Sequence, residues 1–368
     1  MASPGNQTVL RALLAISALL PALDANAGAT VNFGTDQSVS IGFGMRTSYT
    51  STEHGAADGS RANDFNLDSA RIYLGGSLNQ QIKGMFNTEW DGDKIRVLDA
   101  AGQFAFSPAL NIWAGRLLSP SDRANMAGPY YSLGGGYWAG VASRYGYNGG
   151  IFRGRDDGVT VWGNVLDGRL GYSVGAFEGH TFGVGSLTQN QASSAGVRSS
   201  DKLMFAGRLQ YDFWDREPGY YGTGNYLGAK DILAIGLAAR TQQQGVLTTA
   251  ATGDYRAFSA DFLLEKRLAA GAVSLEAAWY DYDTDNVIRA EQGQAWLVGA
   301  GYIIDRWQPF LRYQKFAADS RVDTRQGDLG ANYIIDGYKA QVAALYSRTK
   351  VTGLADQSTF SLTLQLQY

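Results

Sequence analysis

STFSLTLQLQY, residues 358–368, decides the fold. Phe360, Leu362, Leu364, Leu366 and Tyr368 fall on one side of an extended chain, and Ser361, Thr363, Gln365 and Gln367 on the other. Successive side chains of a strand point to opposite faces, so this segment is a strand with one greasy face and one polar face. From Phe360 to Tyr368 it runs about 26 Å, or roughly 20 Å in height once tilted by about 40°. The apolar band of a bilayer-spanning barrel is about 25 Å tall, so the segment nearly fills it, with an aromatic at each end where water meets lipid.

The same alternation recurs upstream. VSIGFGMRTSY (39–49) sets Val39, Ile41, Phe43 and Met45 against Ser40, Gly42, Gly44 and Arg46. Similar segments follow near 67–79, 81–91, 94–106, 109–116, 157–165, 168–178, 202–213, 230–241, 256–267, 271–282, 294–304, 307–317, 326–335 and 338–348, giving sixteen strands in all. The connections alternate in kind. One set is short, such as Asn79-Gln80-Gln81, Leu166-Asp167-Gly168 and Asp336-Gly337; the other is long, polar and Gly-rich, at 51–66, 117–156, 179–201, 242–254, 283–293, 318–325 and 349–357. Two members break the rule: Asp91-Gly92-Asp93 is short where a long loop is due, and 214–229 is long where a turn is due.

Loops sorted to two rims are the mark of an up-and-down barrel in the outer membrane. In hydrocarbon every backbone amide and carbonyl must pair within the protein, so a sheet spans only when it closes and leaves no edge. The expected fold is therefore all-β, a transmembrane antiparallel up-and-down barrel of sixteen strands. Its last strand should pair with the first, near 39–49, to close the ring.

The start of the chain fits export. Arg11, the apolar run from Ala12 to Leu23 and Ala25-Asn26-Ala27 make a secretory leader at 1–27, leaving a barrel domain at 28–368. Cysteine is absent, Gly is abundant at 47 and Pro scarce at 7, a composition of strands and turns without disulfides. The formal net charge is −3, with Lys and Arg spread along the chain, which sets nucleic acid aside as a partner.

A barrel of sixteen strands is too wide for its own wall side chains to fill, and leaves a water-filled interior. The polar phase of the strands puts Arg46, Arg71, Lys83, Arg169, Lys202, Arg208, Arg240, Arg312 and Lys339 inside, with Glu89, Asp99, Asp212, Asp261, Glu265, Glu276 and Asp328. The aperiodic loop 117–156 is long enough to be functional, and its most useful place is folded inward as a constriction. Arg116 at its base and Arg123, Arg144, Arg153 and Arg155 within it outnumber Asp122, Asp156 and Asp157. Arginine keeps its charge and matches phosphate or carboxylate with two hydrogen bonds, so such a ring favours anions unless neighbouring aspartates pair with it. Arg116, Arg123 and Arg144 are the expected constriction, and Arg46, Arg71 and Arg312 the expected lumen wall.

Three stretches carry a family resemblance: GRLLSPSDRANMAGPYY (115–131), LDSARIYLGGSLNQQIKGMFNTEW (67–90) and YDFWDREPGYYGTGNYLGAKDILAIGLA (211–238). The chain resembles the phosphate-selective porins O and P and their relatives across most of residues 28–368. The resemblance implies a homotrimer with the 117–156 loop folded inward, and makes the long turn at 214–229 a family feature. Phosphate selectivity in that family rests on an arginine ladder and loop lysines, whereas loop 117–156 here contains no lysine.

Other signals weigh less. DYDTDNVIRAEQ (281–292) approaches a calcium loop but has Asn286 where Gly belongs and Gln292 where a bidentate Glu belongs. An enzymatic barrel needs a nucleophile with a base in reach; His54 and His180 are the only histidines, and both fall in expected loops. A plugged barrel, an adhesin or purely structural, is the remaining rival of another class, and a phosphate- or polyphosphate-selective anion channel the alternative within the porin class. The expectation is a bacterial outer-membrane porin, no enzyme and without cofactor, that meets lipid outside and passes small hydrophilic solutes with a mild preference for anions.

Overall fold

The computed structural model describes residues 28–90, 94–134, 136, 138, 154–179, 202–248 and 251–368. The expected leader at 1–27, Arg144, Arg153 and His180 lie outside the described residues. Among the described residues there are seventeen strands: β1 (Ala29–Asn32), β2 (Ser38–Thr52), β3 (Ala62–Ser77), β4 (Ile82–Trp90), β5 (Ile95–Ser107), β6 (Leu110–Leu118), β7 (Arg155–Val165), β8 (Leu170–Phe177), β9 (Met204–Asp212), β10 (Ile232–Leu247), β11 (Thr252–Leu268), β12 (Gly271–Asp283), β13 (Gly293–Ile303), β14 (Trp307–Ala318), β15 (Thr324–Asp336), β16 (Ala340–Val351) and β17 (Gln357–Gln367). One short helix, α1 (Arg123–Ala127), follows β6.

Strands β2 to β17 pair antiparallel in chain order, and β17 returns to β2, so sixteen strands close into a barrel. The seam runs from Thr359 opposite Thr52 to Gln367 opposite Gly44. Tyr368 finishes it: its amide donates to the Phe43 carbonyl at 2.9 Å and its carbonyl accepts from the Phe43 amide at 2.8 Å. The two rings meet at 5.9 Å between centroids.

All sixteen expected strands are present, including the weaker segments at 94–106 and 109–116. The four-residue β1 was not expected. It pairs with β2 from Ala29 opposite Ile41 to Asn32 opposite Ser38, covering the stretch of β2 that β17 is too short to reach. Unpaired backbone groups there would be an open edge, and residues 29–32 cover them. The 242–254 loop is shorter than expected, since β10 runs on to Leu247 and β11 begins at Thr252, with a register shift between Gln242 and Val246.

The barrel is inverted relative to a soluble protein. Phe65 is 89% exposed and Leu329 65%, with Leu311, Val174, Ile41 and Leu362 also on the surface, whereas Arg71, Glu89, Asp99, Asp261 and Arg312 are each buried below 7%. In water, exposed apolar area of this extent costs about 25 cal/mol per Å², so the outer surface is one made for lipid. The buried polar phase therefore faces the inside of the ring. The registers explain how charges survive there: Arg71 stands opposite Glu89 and Arg312 opposite Asp328, so each guanidinium meets a carboxylate from the neighbouring strand.

Candidate functional site

The segment after β6 starts from a pinched neck. The Ser119 amide and hydroxyl both donate to the Gly154 carbonyl, at 3.0 and 2.8 Å, so the two ends of the loop are held together. Asp122 then caps α1, its Oδ2 accepting from the Asn125 amide at 3.1 Å; a short polar side chain at this position satisfies an otherwise orphaned amide. Gly128, at φ 65°, ends the helix in a conformation that glycine adopts without strain. Every residue of α1 is buried.

Arg123 is 1% exposed and sits in a four-charge cluster. Its guanidinium donates to both carboxylate oxygens of Glu217 at 2.8 and 2.7 Å and to the Thr223 carbonyl at 2.8 Å. Its Nε lies 3.7 Å from Asp261 Oδ1, and its amide donates to Asp261 Oδ2 at 3.1 Å. Asp261 in turn holds Arg208, whose Nη2 donates to Oδ1 at 2.9 Å. Tyr280 donates to Asp122 Oδ2 at 2.9 Å from the next strand round.

The rest of the segment touches other parts of the wall. Arg208 donates to the Ser121 carbonyl at 3.1 Å and Arg240 to the Ser119 hydroxyl at 2.6 Å. Tyr130 donates to Ser69 at 3.0 Å, with the Arg71 guanidinium 5.2 Å from its ring centre. Gln365 donates to the Tyr130 carbonyl at 3.2 Å, and Arg312 to the Leu133 carbonyl at 3.0 Å. Trp138 donates to Glu276 at 3.3 Å and lies under Arg312 at 4.9 Å. Gly299 and Gly301 make room for this: a Cβ on Gly301 would stand 2.8 Å from Leu133, and one on Gly299 3.0 Å from Trp138.

The expected site residues are thus partly gathered. Arg123, Arg312 and Arg71 each contact residues 117–138 or lie beside one that does, and each has a carboxylate partner. Arg71 donates to Glu89 at 2.9 Å, and Arg312 to Asp328 at 2.8 and 3.0 Å. Arg46 is buried on the same inner face, where a Cβ on Gly136 would lie 3.3 Å from its Nη2. Arg116 stands apart, half-exposed and bound through Nε and Nη2 to both oxygens of Asp157 at 2.7 Å each. Arg155 pairs with Asp99 at 3.2 Å.

Sequence reasoning missed the partner that comes from the opposite rim. The connection 213–231, between β9 and β10, leaves the rim of the short turns, and its side chains reach residues 117–134. Tyr220 donates to the Leu118 carbonyl at 2.6 Å, and the Gly224 amide to the Tyr131 carbonyl at 3.0 Å. Asn225 exchanges side-chain hydrogen bonds with Gln308 at 3.0 Å in each direction, and the Tyr226 amide donates to Glu265 at 2.8 Å. Its Tyr220 and Tyr221 pack with Trp113 and Trp162 of the wall as one aromatic cluster. The signal available in the sequence was the anomalous length of this turn, not any residue in it.

Two carboxyls outside the strands are shifted by these contacts. Burial pushes Asp122 up to about 6, with the nearby Asp261 charge adding to it and Tyr280, the Asn125 amide and Arg208 opposing. Burial would also raise Glu217, but the Arg123 charge and its hydrogen bonds outweigh that and hold the group below the usual range.

No family model matches the chain, and no curated protein matches it. Solved structures do match. An anion-selective porin from Comamonas acidovorans superposes with a TM-score of 0.62 at 12% identity, over 90% of this chain and 100% of that one. OprB of Pseudomonas putida gives 0.63 at 11% identity, over 90% and 94%. The in-vitro folded trimer form of OmpT, an outer membrane protein of Vibrio cholerae, gives 0.55 at 14% identity, over 91% and 100%. At these identities the likeness is one of fold, and the fold is that of bacterial outer-membrane porins.

Proposed function

We propose that this chain is a porin of the bacterial outer membrane that lets small hydrophilic solutes diffuse down their gradients. The observation that carries this reading is the inverted barrel, with apolar side chains outside and paired charges inside, on a fold shared with porins. Residues 117–138 act as the constriction in this reading. Their partners lie on β3, β9, β10, β11, β12, β14 and β17, strands spread round the ring, and a segment inside the barrel can reach all of them. Arg116, Arg123 and Arg144 remain the proposed constriction arginines, and Arg46, Arg71 and Arg312 the proposed wall.

Pairing sets the selectivity. A bare arginine ring would favour anions, but Arg71, Arg116, Arg123, Arg155, Arg208 and Arg312 each hold a carboxylate. The anion preference is accordingly mild, and phosphate specificity has no support beyond the resemblance of the three quoted stretches. The trimer form of one structural neighbour supports a homotrimer, checked by the native mass of the detergent-purified protein. Liposomes carrying the protein should swell fast in small neutral hydrophilic solutes and progressively slower in larger ones; equal rates to protein-free liposomes would end the porin reading. The hydrogen bonds from 117–134 to strands all round the ring would also suit one rival, a plugged barrel with no passage, and the same measurement separates the two.

A further inference from the structure

We propose that Glu217, delivered from the opposite rim by the 213–231 turn, is the residue that sets ion selectivity at the waist by cancelling Arg123. The inference rests on the porin reading and goes beyond it, because it assigns the selectivity to a residue outside loop 117–156.

Three observations carry it. First, Arg123 and Glu217 share a two-pronged ion pair with both side chains under 5% exposed, so both carboxylate oxygens face this guanidinium. Such a match is directional as well as electrostatic. Second, Glu217 is aimed before Arg123 arrives: its own amide donates to Asp212 Oδ2 at 2.7 Å, Tyr226 donates to its Oε1 at 2.6 Å, and Gln210 to its Oε2 at 3.1 Å. Third, the neighbouring carboxyl groups have partners of their own. Asp261 divides itself between Arg208 and Arg123, while Asp122 is engaged by Tyr280 and Asn125, and Glu276 by Trp138. Removing the Glu217 charge therefore leaves a net positive change beside Arg123. One unit charge about 4 Å away through water changes an ion's local concentration about fivefold, in opposite senses for anions and cations, so the ratio would move about 25-fold at that distance and less for an ion held farther off by the burial of the pair.

The turn and the constriction also form a physical latch. A Cβ on Gly222 would stand 3.5 Å from the Met126 Cβ, within the Cβ separation of a disulfide, and the chain contains no cysteine to interfere. The Gly222→Cys/Met126→Cys variant should lose both free thiols on mild oxidation of the folded barrel without forming intermolecular dimers.

The test is the reversal potential of reconstituted channels across a potassium chloride gradient. Glu217→Gln keeps the side-chain shape and should raise the chloride over potassium permeability ratio about fivefold or more, while Arg123→Gln should lower it. A merely structural role for Glu217 would change the conductance or the yield and leave the ratio where it was. Wild-type channels with an unchanged ratio in Glu217→Gln would overturn the proposal. A wild-type protein that carries no current would sink the porin reading instead, and the thiol pair then judges the latch separately: two persistent free thiols in the folded variant would overturn it.

Discussion

Strand β14 shows both faces of the wall at once. Leu311 and Tyr313 point outward and are exposed, while Arg312 between them is buried against Asp328 and the Leu133 carbonyl. On the outer face the requirement is a class of side chain: anything apolar suits lipid, and no particular neighbour is needed. On the inner face the requirement is a partner. A buried guanidinium is tolerated because a specific carboxylate and carbonyl are within reach, and it would be costly without them. The same two-residue period thus carries two kinds of information, one satisfied by composition and the other only by register.

Breaking an inner partnership should do the most damage. Asp261→Ala strands Arg208 and the Arg123 amide together, and leaving buried charge uncompensated costs about 3–5 kcal/mol. Urea unfolding in detergent, followed by the mobility shift between folded and heated forms, reads this. An outer-face change of the opposite kind comes next: Leu311→Arg places a charge in the lipid band at a cost of about 2–4 kcal/mol. If Leu311→Arg were neutral, the outward face of β14 would not be meeting lipid.

A pH dependence sharpens the inner half of the comparison. Asp122 titrates at about 6 in the fold, against about 4 in an unfolded chain. Between those values the folded carboxyl keeps a proton that the unfolded one has lost, so stability falls as pH rises from about 4 to 6 and is level above. The groups facing it are Asp261 from β11, Arg208 from β9, Tyr280 from β12 and the Asn125 amide. Asp122→Asn keeps a capping side chain and should flatten that slope. Neutralising Asp122 by acid also removes a negative charge beside Arg123, so the anion preference should be greater at pH 5 than at pH 7, and this difference should shrink in Asp122→Asn. The smallest effect belongs to Arg116. Its ion pair with Asp157 is well formed but open to solvent, and Arg116→Ala should cost only about 0–1 kcal/mol.

The sixteen strands and the closing pair were legible because lipid enforces a strict period: one misplaced residue in STFSLTLQLQY would put a polar group in hydrocarbon. The four residues of β1 were not, since ATVN is too short to show a period and its role depends on where β17 happens to stop. The inner arginines could be read as pointing inward from their phase, but their state could not. Arg123 and Glu217 are 94 residues apart, and nothing local to either announces the other. The anion expectation rests on the arginines of one loop, and the carboxylate partner of Arg123 comes from a turn on the far rim that such a count does not include. The one legible sign of that partner is the length of 214–229, a long connection on the short side of the barrel.

The most direct measurement is the current through single barrels inserted in a planar bilayer. A channel with a narrowed, charge-paired waist predicts discrete conductance steps with permeability for both potassium and chloride. A bilayer that stays silent after insertion of folded protein, at every voltage tried, would contradict it.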